Sequence, residues 1–361
     1  MRVGLVGCGF IGRVHSWAFW ALRKADLFDA KITAVHDRDP ERAAAIAQPH
    51  GAATCSDLPE LLDQVDAVYV CTPTAEHLSV CEAAADRGIA VMCEKPLAPD
   101  LAGARRVAEA LELVPHRVGL VLRSSPVFHR LSDLISSGRF GRPMALTLRD
   151  DQYFPIQGQY ASTWRSDVDV AGGGTLIEHS IHDLDLFRWL LGEPKTVSCR
   201  TASFFGHPGI EDLAVATFDF GGGVTANLTS VWHQVITRGS TRRVEVFFED
   251  AVVVWDEDDD PGELHVSTSA GAEVLTCPLP EWVETLPVPV EVRNSLGLYT
   301  EASRRFLEAV ASGKTGSPDA TDAVAAHVMV DAAYRSAAEE GRPTPSTLDT
   351  PKRSGGANRD R

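Results

Sequence analysis

The segment Gly7-Cys8-Gly9-Phe10-Ile11-Gly12 is the feature that most restricts how this chain can fold. An apolar run at residues 3–6 precedes it directly, and residues 12–22 after it have helical periodicity. Glycines at this spacing between a strand and a helix allow a tight turn and let the backbone approach a pyrophosphate, which then rests on the helix N-terminus. We therefore predict that Gly7, Gly9, Phe10, Ile11 and Gly12 bind a dinucleotide. A glycine turn without a ligand is the alternative.

Short apolar runs alternate with helix-like segments through the first 120 residues. The runs lie at 3–6, 32–36, 67–71, 90–93 and 117–121, and the helix-like segments lie at 12–22, 40–47, 58–62, 76–87 and 101–111. This order is typical of βαβ units that share a parallel sheet. We predict an α/β Rossmann domain that binds NAD(P) over residues 1–123.

Beyond residue 124, strand-like segments dominate. Strands are predicted at 196–205, 213–220, 224–232, 243–248, 251–255 and 264–268, and helices at 126–136, 176–191, 295–311 and 319–340. We predict an α+β domain over 124–345 with a large, mostly antiparallel, open-faced sheet, whose C-terminal helices pack back on the first domain. The acidic run at 256–260 is interpreted as a solvated loop, and residues 346–361 as a disordered tail.

The residues after the second predicted strand bear on the choice of cofactor. Asp37 ends that strand, where a carboxylate can accept hydrogen bonds from an adenosine ribose and repel a 2′-phosphate. This favours NAD. Arg38 beside it could instead hold the phosphate of NADP, and both residues could also be ordinary strand-end charges.

Two further strand ends supply polar residues to the same edge of the sheet. Thr72, Pro73 and His77 follow the run at 67–71, and Glu94 and Lys95 follow the run at 90–93. Ligands of parallel sheets bind beyond the carboxyl ends of the strands, so all five residues are predicted to lie at the cofactor crevice. We interpret Lys95 as a fixed cation aimed at a substrate oxygen, with a solvated charged pair as the alternative for Glu94-Lys95.

The predicted helix at 176–191 carries a histidine between carboxylates. Glu178 lies four residues before His182 and Asp185 three after it, so the three share a face. A carboxylate beside an imidazole fixes its tautomer and raises its basicity, as proton transfer requires. A solvated polar face is one alternative. A metal site formed by Glu178, His179 and His182 is the other, but residues 178 and 179 point about 100° apart on a helix and converge poorly, so no metal is expected.

In combination and in this order, the motifs resemble the glucose–fructose oxidoreductase / inositol dehydrogenase family (Gfo/Idh/MocA) over residues 1–345. The matching features are the glycine fingerprint with His15, Thr72-Pro73 with His77, Glu94-Lys95-Pro96, Trp164-Arg165, Gly172-Gly173-Gly174 with His182 downstream, and Gly341-Arg342-Pro343. The resemblance implies an NAD(P)-dependent oxidoreductase that transfers hydride between a nicotinamide cofactor and a secondary alcohol of a sugar, inositol or related polyol. It assigns the lysine of the family's Glu-Lys-Pro motif to Lys95 and the catalytic histidine to His182. Glu178 stands where the family usually has an aspartate.

We hypothesise that Lys95, His182 and Glu178 are catalytic and also contact the substrate. In this scheme His182 takes the hydroxyl proton, Lys95 stabilises the oxygen, and Glu178 orients His182 or a neighbouring hydroxyl. Two other classes of function stay open. One is a non-catalytic NAD(P)-binding sensor or regulator, and the other is an NAD-dependent glycosidase or epimerase with transient oxidation.

Four further residues are predicted to frame the substrate. Tyr153, Trp164 and Arg165 belong to loops of the second domain, and Arg123 ends the fifth Rossmann strand at the crevice. The two aromatic residues could equally be core side chains, and the two arginines could be surface charges.

Charge and cysteine content limit the partners. The chain has 34 Lys and Arg against 50 Asp and Glu, a formal net charge of -16, which argues against binding nucleic acid or an anionic membrane surface. Seven scattered cysteines without a Cys-x-x-Cys pair do not indicate a disulfide framework or a zinc site. No apolar run approaches the ~18 residues that a membrane span requires. We expect a cytoplasmic protein that forms a homodimer or homotetramer through the open face of its second sheet.

Overall fold

The computed structural model describes residues 1–256 and 262–346, apart from the side chains at 290, 291, 294 and 295. Most of the acidic run at 256–260 therefore lies outside the described residues, as does the tail predicted at 346–361 except for its first residue. Ser346 is buried and donates its backbone N–H to the Lys195 carbonyl.

A six-stranded parallel sheet forms the first part of the molecule. Its strands are β1 (Arg2–Val6), β2 (Lys31–His36), β3 (Ala53–Thr54), β4 (Ala67–Val70), β5 (Ala90–Cys93) and β6 (His116–Val118), in the order β3-β2-β1-β4-β5-β6. The helices between them are α1 (Phe10–Lys24), α2 (Pro40–His50), α3 (Leu58–Leu62), α4 (His77–Ala85) and α5 (Leu101–Leu111). Every residue of β4 and β5 is buried, as expected for a parallel sheet that helices cover on both faces. The predicted Rossmann fold is confirmed.

A nine-stranded sheet dominates the second part. Its strands are β7 (Pro143–Tyr153), β8 (Thr196–Ala202), β9 (Leu213–Gly221), β10 (Val224–His233), β11 (Thr241–Phe248), β12 (Ala251–Asp256), β13 (Glu263–Thr268), β14 (Gly271–Thr276) and β15 (Thr344–Pro345). Their order is β14-β13-β12-β11-β7-β10-β9-β8-β15, and among the described strands of this sheet only the β7–β10 pair is parallel. The prediction of a large, mostly antiparallel sheet is therefore confirmed.

The central strand of this sheet, β7, was missed by the sequence prediction. Its second half reads Arg149-Asp150-Asp151-Gln152, and aspartate is depleted in strands. Asp150, Asp151 and Gln152 are nevertheless buried, because arginine and histidine side chains from other segments pair with the two carboxylates. Local propensity could not reveal those partners.

The helix predicted at 176–191 is interrupted. The second part contains α6 (Pro126–Ser137), α7 (Val168–Ala171), α8 (Thr175–Glu178), α9 (Ile181–Leu191), α10 (Glu281–Glu284), α11 (Val290–Ala311) and α12 (Ala320–Ala338). Between α8 and α9, the Ser180 N–H bonds to the Thr175 carbonyl, five residues back, and the Ser180 hydroxyl bonds to Ser230 at 2.7 Å. The side-chain bond to β10 holds the chain in this local break, which sequence periodicity did not indicate.

Two contacts of the helices bring the two sheets together. Helix α11 packs on α1, and α12 packs on α5 as well as on α9 and β8. The Gly172-Gly173-Gly174 run allows a second close approach. A Cβ at Gly172 would lie 2.0 Å from the Pro99 carbonyl oxygen, and one at Gly174 would lie 1.8 Å from the Glu211 carbonyl oxygen. The missing side chain at Gly172 therefore allows the segment before α8 to approach the first part of the chain at Pro99, and the one at Gly174 allows it to pack against Glu211 within the second part.

Among the described residues, no helix combines the length and the apolar character needed to cross a membrane.

Candidate active site

A cavity of about 1030 Å³ lies between the carboxyl ends of the parallel strands and the α8–α9 region. The Rossmann side contributes Gly7, Cys8, Gly9, Phe10, Ile11, Asp37, Arg38, Thr72, Pro73, Thr74, Glu94 and Lys95 to its wall. The second part contributes Gln152, Tyr160, Trp164, Arg165, Glu178, His179, His182 and Arg242. Most of the predicted dinucleotide and substrate residues thus line one cavity, which is large enough for both ligands, whereas Gly12, His77, Arg123 and Tyr153 do not line it.

The glycine loop has the geometry of a pyrophosphate site. Gly7 has φ +92°, and a Cβ there would lie 2.5 Å from the Cys71 backbone, while a Cβ at Gly12 would lie 2.1 Å from the Gly7 carbonyl oxygen. A Cβ at Gly9, in contrast, would meet no described atom within 4 Å and would occupy open space. Helix α1 begins after Gly9 with no side-chain cap hydrogen bond and no acidic residue in its first turn, so its N-terminus can attract an anion. Gly12 supports this turn by close packing and does not itself line the cavity.

Asp37 and Arg38 lie on the wall at the end of β2. The Asp37 carboxylate accepts hydrogen bonds from the backbone N–H groups of Cys8 (2.6 Å) and Asp39 (2.8 Å), which holds it beside the glycine loop. The Arg38 guanidinium is largely exposed and pairs with Glu76. An acidic group therefore faces this end of the cavity, while the neighbouring cation is directed to another carboxylate.

The loop after β4 is held by His77. Its Nε2 lies 3.0 Å from the Thr72 carbonyl oxygen, and burial lowers the pKa of His77, so the neutral ring can donate this hydrogen bond. Thr72 and Pro73 line the cavity, whereas His77 lies behind them. Its role in the structure is to position the loop.

Glu94 and Lys95 follow β5 and point in different directions. The Glu94 carboxylate bonds to Nε2 of the buried His15 at 2.7 Å. Lys95 reaches across the cavity and donates from Nζ to the Glu178 carbonyl oxygen at 2.5 Å. Burial lowers the pKa of Lys95 to about 8, although the Glu178 charge opposes that effect. At neutral pH this ammonium group is a hydrogen-bond donor that can lose its proton just above the physiological range.

The Glu178 carboxylate is buried and fully engaged. Oε1 accepts a hydrogen bond from the Thr74 hydroxyl at 2.7 Å, and Oε2 accepts one from Nε of Arg165 at 3.0 Å. Neither oxygen bonds to His182 in the described part of the chain. The hypothesised role of Glu178 was to orient His182 or a neighbouring hydroxyl; its carboxylate instead binds the Thr74 hydroxyl and the Arg165 guanidinium.

His182 faces the cavity without a carboxylate behind it. Its Nδ1 is buried and has no hydrogen-bond partner among the described residues. Asp185, predicted to share its face, instead binds Arg123 through both carboxylate oxygens at 2.8 and 2.5 Å. Burial, reinforced by the charges of Lys95 and Arg242, lowers the pKa of His182 well below 6.5. The ring is therefore neutral at physiological pH and can accept a proton.

Two predicted substrate residues do not reach the cavity. Arg123 is buried in ion pairs with Asp185 and, at 3.1 Å, with Asp322, so it stabilises contact between the two parts of the chain. Tyr153 is also buried, and its ring packs behind Tyr160 with a centroid distance of 5.3 Å. In this structure both side chains are buried and neither lines the cavity.

Trp164 and Arg165 do line the cavity, and the Arg165 guanidinium lies over the Trp164 ring, 4.3 Å from its centroid. Several wall residues were not predicted as site residues, namely Thr74, Gln152, Tyr160, His179, Arg242 and Tyr299. Thr74 and His179 adjoin quoted motifs, which was a usable signal. Gln152 belongs to the missed strand β7, and Arg242 lies near the start of β11 without any local motif.

The three residues considered as a metal site do not converge. The Glu178 carboxylate is hydrogen-bonded to Thr74 and Arg165, while Nε2 of His179 lies 2.9 Å from the Asp150 carboxylate. Within residues 1–256 and 262–346, no group of three or more His, Cys, Asp or Glu residues has the arrangement needed to hold a metal ion.

Comparison with known proteins relates both parts of the chain to one family. A family model described as "Oxidoreductase family, NAD-binding Rossmann fold" (GFO_IDH_MocA) matches residues 1–120, and the "GFO/IDH/MocA C-terminal domain" matches residues 128–254. Inositol 2-dehydrogenase of Rhizobium meliloti strain 1021 is 30% identical over 94% of this chain and 98% of its own. Inositol 2-dehydrogenase of Streptomyces avermitilis is 29% identical over 93% of this chain and 91% of its own.

A solved structure shares the fold over nearly the whole chain. Levoglucosan dehydrogenase in complex with NADH and levoglucosan superposes with a TM-score of 0.85, at 23% sequence identity, over 96% of this chain and 99% of its own. At this level of identity the likeness establishes the two-part architecture.

Proposed function

The chain belongs to the Gfo/Idh/MocA family of NAD-binding oxidoreductases, and we propose that it transfers hydride between NAD and a secondary alcohol of a sugar, inositol or related polyol. The observation that carries this proposal is that Lys95 and a neutral His182 face the same cavity as the glycine loop. Relatives that act on inositol and 1,5-anhydro-D-fructose support the substrate class.

The residues of the cavity fit a nicotinamide dinucleotide. The open space above Gly9 and the uncapped start of α1 would hold the pyrophosphate, and Asp37 would accept hydrogen bonds from the adenosine ribose and disfavour a 2′-phosphate. Thr72 and Pro73 would line the path from the pyrophosphate towards Lys95. When bound, the cofactor supplies the hydride acceptor or donor.

We propose that His182 and Lys95 act on the hydroxyl group that reacts. His182 is neutral and accepts the hydroxyl proton in the oxidation direction, while the Lys95 ammonium group donates a hydrogen bond to the oxygen as negative charge develops there. Glu178 supports Lys95 through its backbone carbonyl and its charge, and it holds Arg165 at the wall. Trp164 and Arg165 frame the substrate.

The proposal is tested by turnover of a polyol panel. Myo-inositol, D-glucose, 1,5-anhydro-D-glucitol and levoglucosan are each supplied with NAD⁺ or NADP⁺, and nicotinamide reduction is followed. We expect Lys95→Met and His182→Asn to lower kcat by about 10²–10⁴-fold with NADH affinity retained. Lys314→Met, at an exposed lysine, is the matched control. Near-normal kcat in both site variants would refute the assignment.

The same panel separates the other classes of function. A sensor would bind NADH without reducing NAD⁺ with any polyol. A glycosidase or epimerase would convert its substrate while the net amount of NADH stays constant.

We also propose the division into a cofactor domain at 1–123 and a second domain at 124–345, which the two matched segments support. A cytoplasmic location is supported by the seven cysteines, all of which are unpaired, because a reducing compartment keeps thiols free. A homodimer or homotetramer would cover the face of the nine-stranded sheet on which the exposed Val215 lies.

A further inference from the structure

A second histidine, His179, lies on the wall of the cavity beside His182. Its Nε2 is 2.9 Å from Oδ1 of Asp150, a carboxylate of strand β7 that is completely buried. The other carboxylate oxygen of Asp150 accepts a hydrogen bond from Nη2 of Arg242 at 2.8 Å, and the Ser180 hydroxyl lies 3.4 Å from it. The ring of His179 is therefore fixed by a buried, charge-compensated partner.

This contact determines which nitrogen of His179 carries the proton. Burial raises the pKa of Asp150, whereas the Arg242 charge beside it lowers this pKa and favours the ionised form. An ionised carboxylate only accepts hydrogen bonds, so Nε2 donates to Asp150 and Nδ1 of the neutral ring is left as an acceptor. Burial, with the charges of Arg242 and Lys95, lowers the pKa of His179 well below 6.5, which keeps the ring neutral. Nδ1 has no hydrogen-bond partner among the described residues. It is also absent from the set of unpaired polar atoms that are fully buried. An oriented acceptor is thus available to a ligand in the cavity.

The two histidines differ in how they are held. His182 has a buried Nδ1 without a partner, so nothing in the described structure fixes its tautomer, as expected for a group that exchanges a proton. His179 has its tautomer fixed by Asp150, as expected for a group that binds a hydroxyl and keeps its own proton. The two rings, three residues apart, line one cavity with Lys95.

We propose that Nδ1 of His179 accepts a hydrogen bond from a second substrate hydroxyl, adjacent to the one that reacts at Lys95 and His182, and that Asp150 is the positioning residue for this contact. The proposal rests on the proposed function, because Lys95 and His182 must hold the reacting hydroxyl. It narrows the substrate class to polyols with two neighbouring hydroxyl groups. His179 then contributes to specificity, whereas the proton transfer stays with His182.

The experiment tests whether His179 contacts one particular hydroxyl group of the substrate. The best substrate of the polyol panel is compared with its monodeoxy analogues in wild type, His179→Leu and His179→Asn. One hydrogen bond corresponds to about a tenfold change in affinity. We expect one analogue, lacking the hydroxyl next to the reacting carbon, to raise the wild-type KM about tenfold. His179→Leu should raise the KM of the parent polyol about tenfold, change kcat much less, and leave that analogue unaffected.

Two controls keep the result specific. His179→Asn places an amide oxygen near the position of Nδ1 and should restore most of the KM, while His265→Leu removes an exposed histidine of β13 and should change nothing. If His179→Leu affects the parent and all analogues equally, or affects none, the proposal is overturned. Equal loss on every substrate with a lower Tm would mean that the residue only supports the fold.

A spectroscopic measurement does not depend on turnover. In ¹⁵N-histidine-labelled protein with NADH bound, the resonance that His179→Leu removes should show an unprotonated Nδ1 and a protonated Nε2 at neutral pH, and myo-inositol or D-glucose should shift Nδ1. A protonated Nδ1, or no shift with any polyol of the panel, would overturn the inference. If no polyol yields NADH but Nδ1 still shifts, the proposed oxidoreductase activity fails while the binding role of His179 stands.

Discussion

Replacing Glu178 with glutamine tests how the charges around Lys95 set its protonation. The substitution keeps the size of a buried side chain but removes its charge, while the Lys95 Nζ contact to the backbone carbonyl of residue 178 remains possible. In the wild type, burial lowers the pKa of Lys95 to about 8, the Glu178 charge raises it, and the Arg165 charge lowers it. Without the Glu178 charge, burial and the Arg165 and Arg242 charges are opposed only by Glu94, so Lys95 should lose its proton at a lower pH.

The size of the shift follows from the usual effect of one nearby charge. An opposite charge within a few ångströms typically shifts a pKa by about 1–3 units. If the Lys95 ammonium group is the active form, kcat/KM for polyol oxidation should fall above about pH 8 in the wild type. In Glu178→Gln the same fall should begin about one pH unit lower or more.

The assay is the pH profile of kcat/KM at saturating NAD⁺, measured for wild type and variant between about pH 6 and pH 10. Glu178→Asp retains the charge and should keep most of the alkaline limit. Glu193→Gln removes an exposed carboxylate paired with Arg188 and should leave the profile unchanged. Thermal unfolding shows whether the loss of the Arg165 ion pair unfolds the variant. An alkaline limit at the same pH in folded Glu178→Gln would refute the proposed electrostatic control of Lys95.

Three further predictions concern the cofactor and stability. Asp37→Ser should weaken NADH binding and strengthen NADPH binding, each by about tenfold, because the variant lacks the charge that repels a 2′-phosphate. Fluorescence titration with both cofactors measures these affinities. Unchanged affinities would contradict the prediction. Gly174→Ala places a Cβ 1.8 Å from the Glu211 carbonyl oxygen and should lower the free energy of unfolding by about 1–3 kcal/mol, seen as a lower Tm. The control is Gly239→Ala, whose Cβ has no described atom within 4 Å and which should leave Tm unchanged. Burial raises the pKa of Asp183 to about 7, so its contribution to stability is complete below about pH 4 and is lost as the pH rises through about 7. Asp183→Asn should flatten the dependence of Tm on pH over that range, and an identical slope in wild type and variant would show that another group is responsible.

Much of the Rossmann domain could be predicted because its signals are local. The strand–glycine–helix order at residues 3–22, the apolar strands and the alternation of elements each depend on a few consecutive residues. The end of each parallel strand then places Asp37, Thr72 and Lys95 at one edge of the sheet, whatever the rest of the chain does. Prediction was least successful where a segment contradicts its own propensity, as in strand β7, whose buried aspartates depend on distant arginines.

The sequence by itself therefore determined the two-domain class, the dinucleotide loop and the approach of Lys95 and His182 to a shared crevice. Only the tertiary structure determined which side chain each buried carboxylate pairs with. Glu178 binds Thr74, 104 residues away, and Arg123 binds Asp185, 62 residues away, so that Asp185 does not reach His182. It also placed Asp150 behind His179. Such pairings depend on the directions of side chains brought together by folding and on the high cost of an unpaired buried charge, and neither is encoded in the spacing of nearby residues.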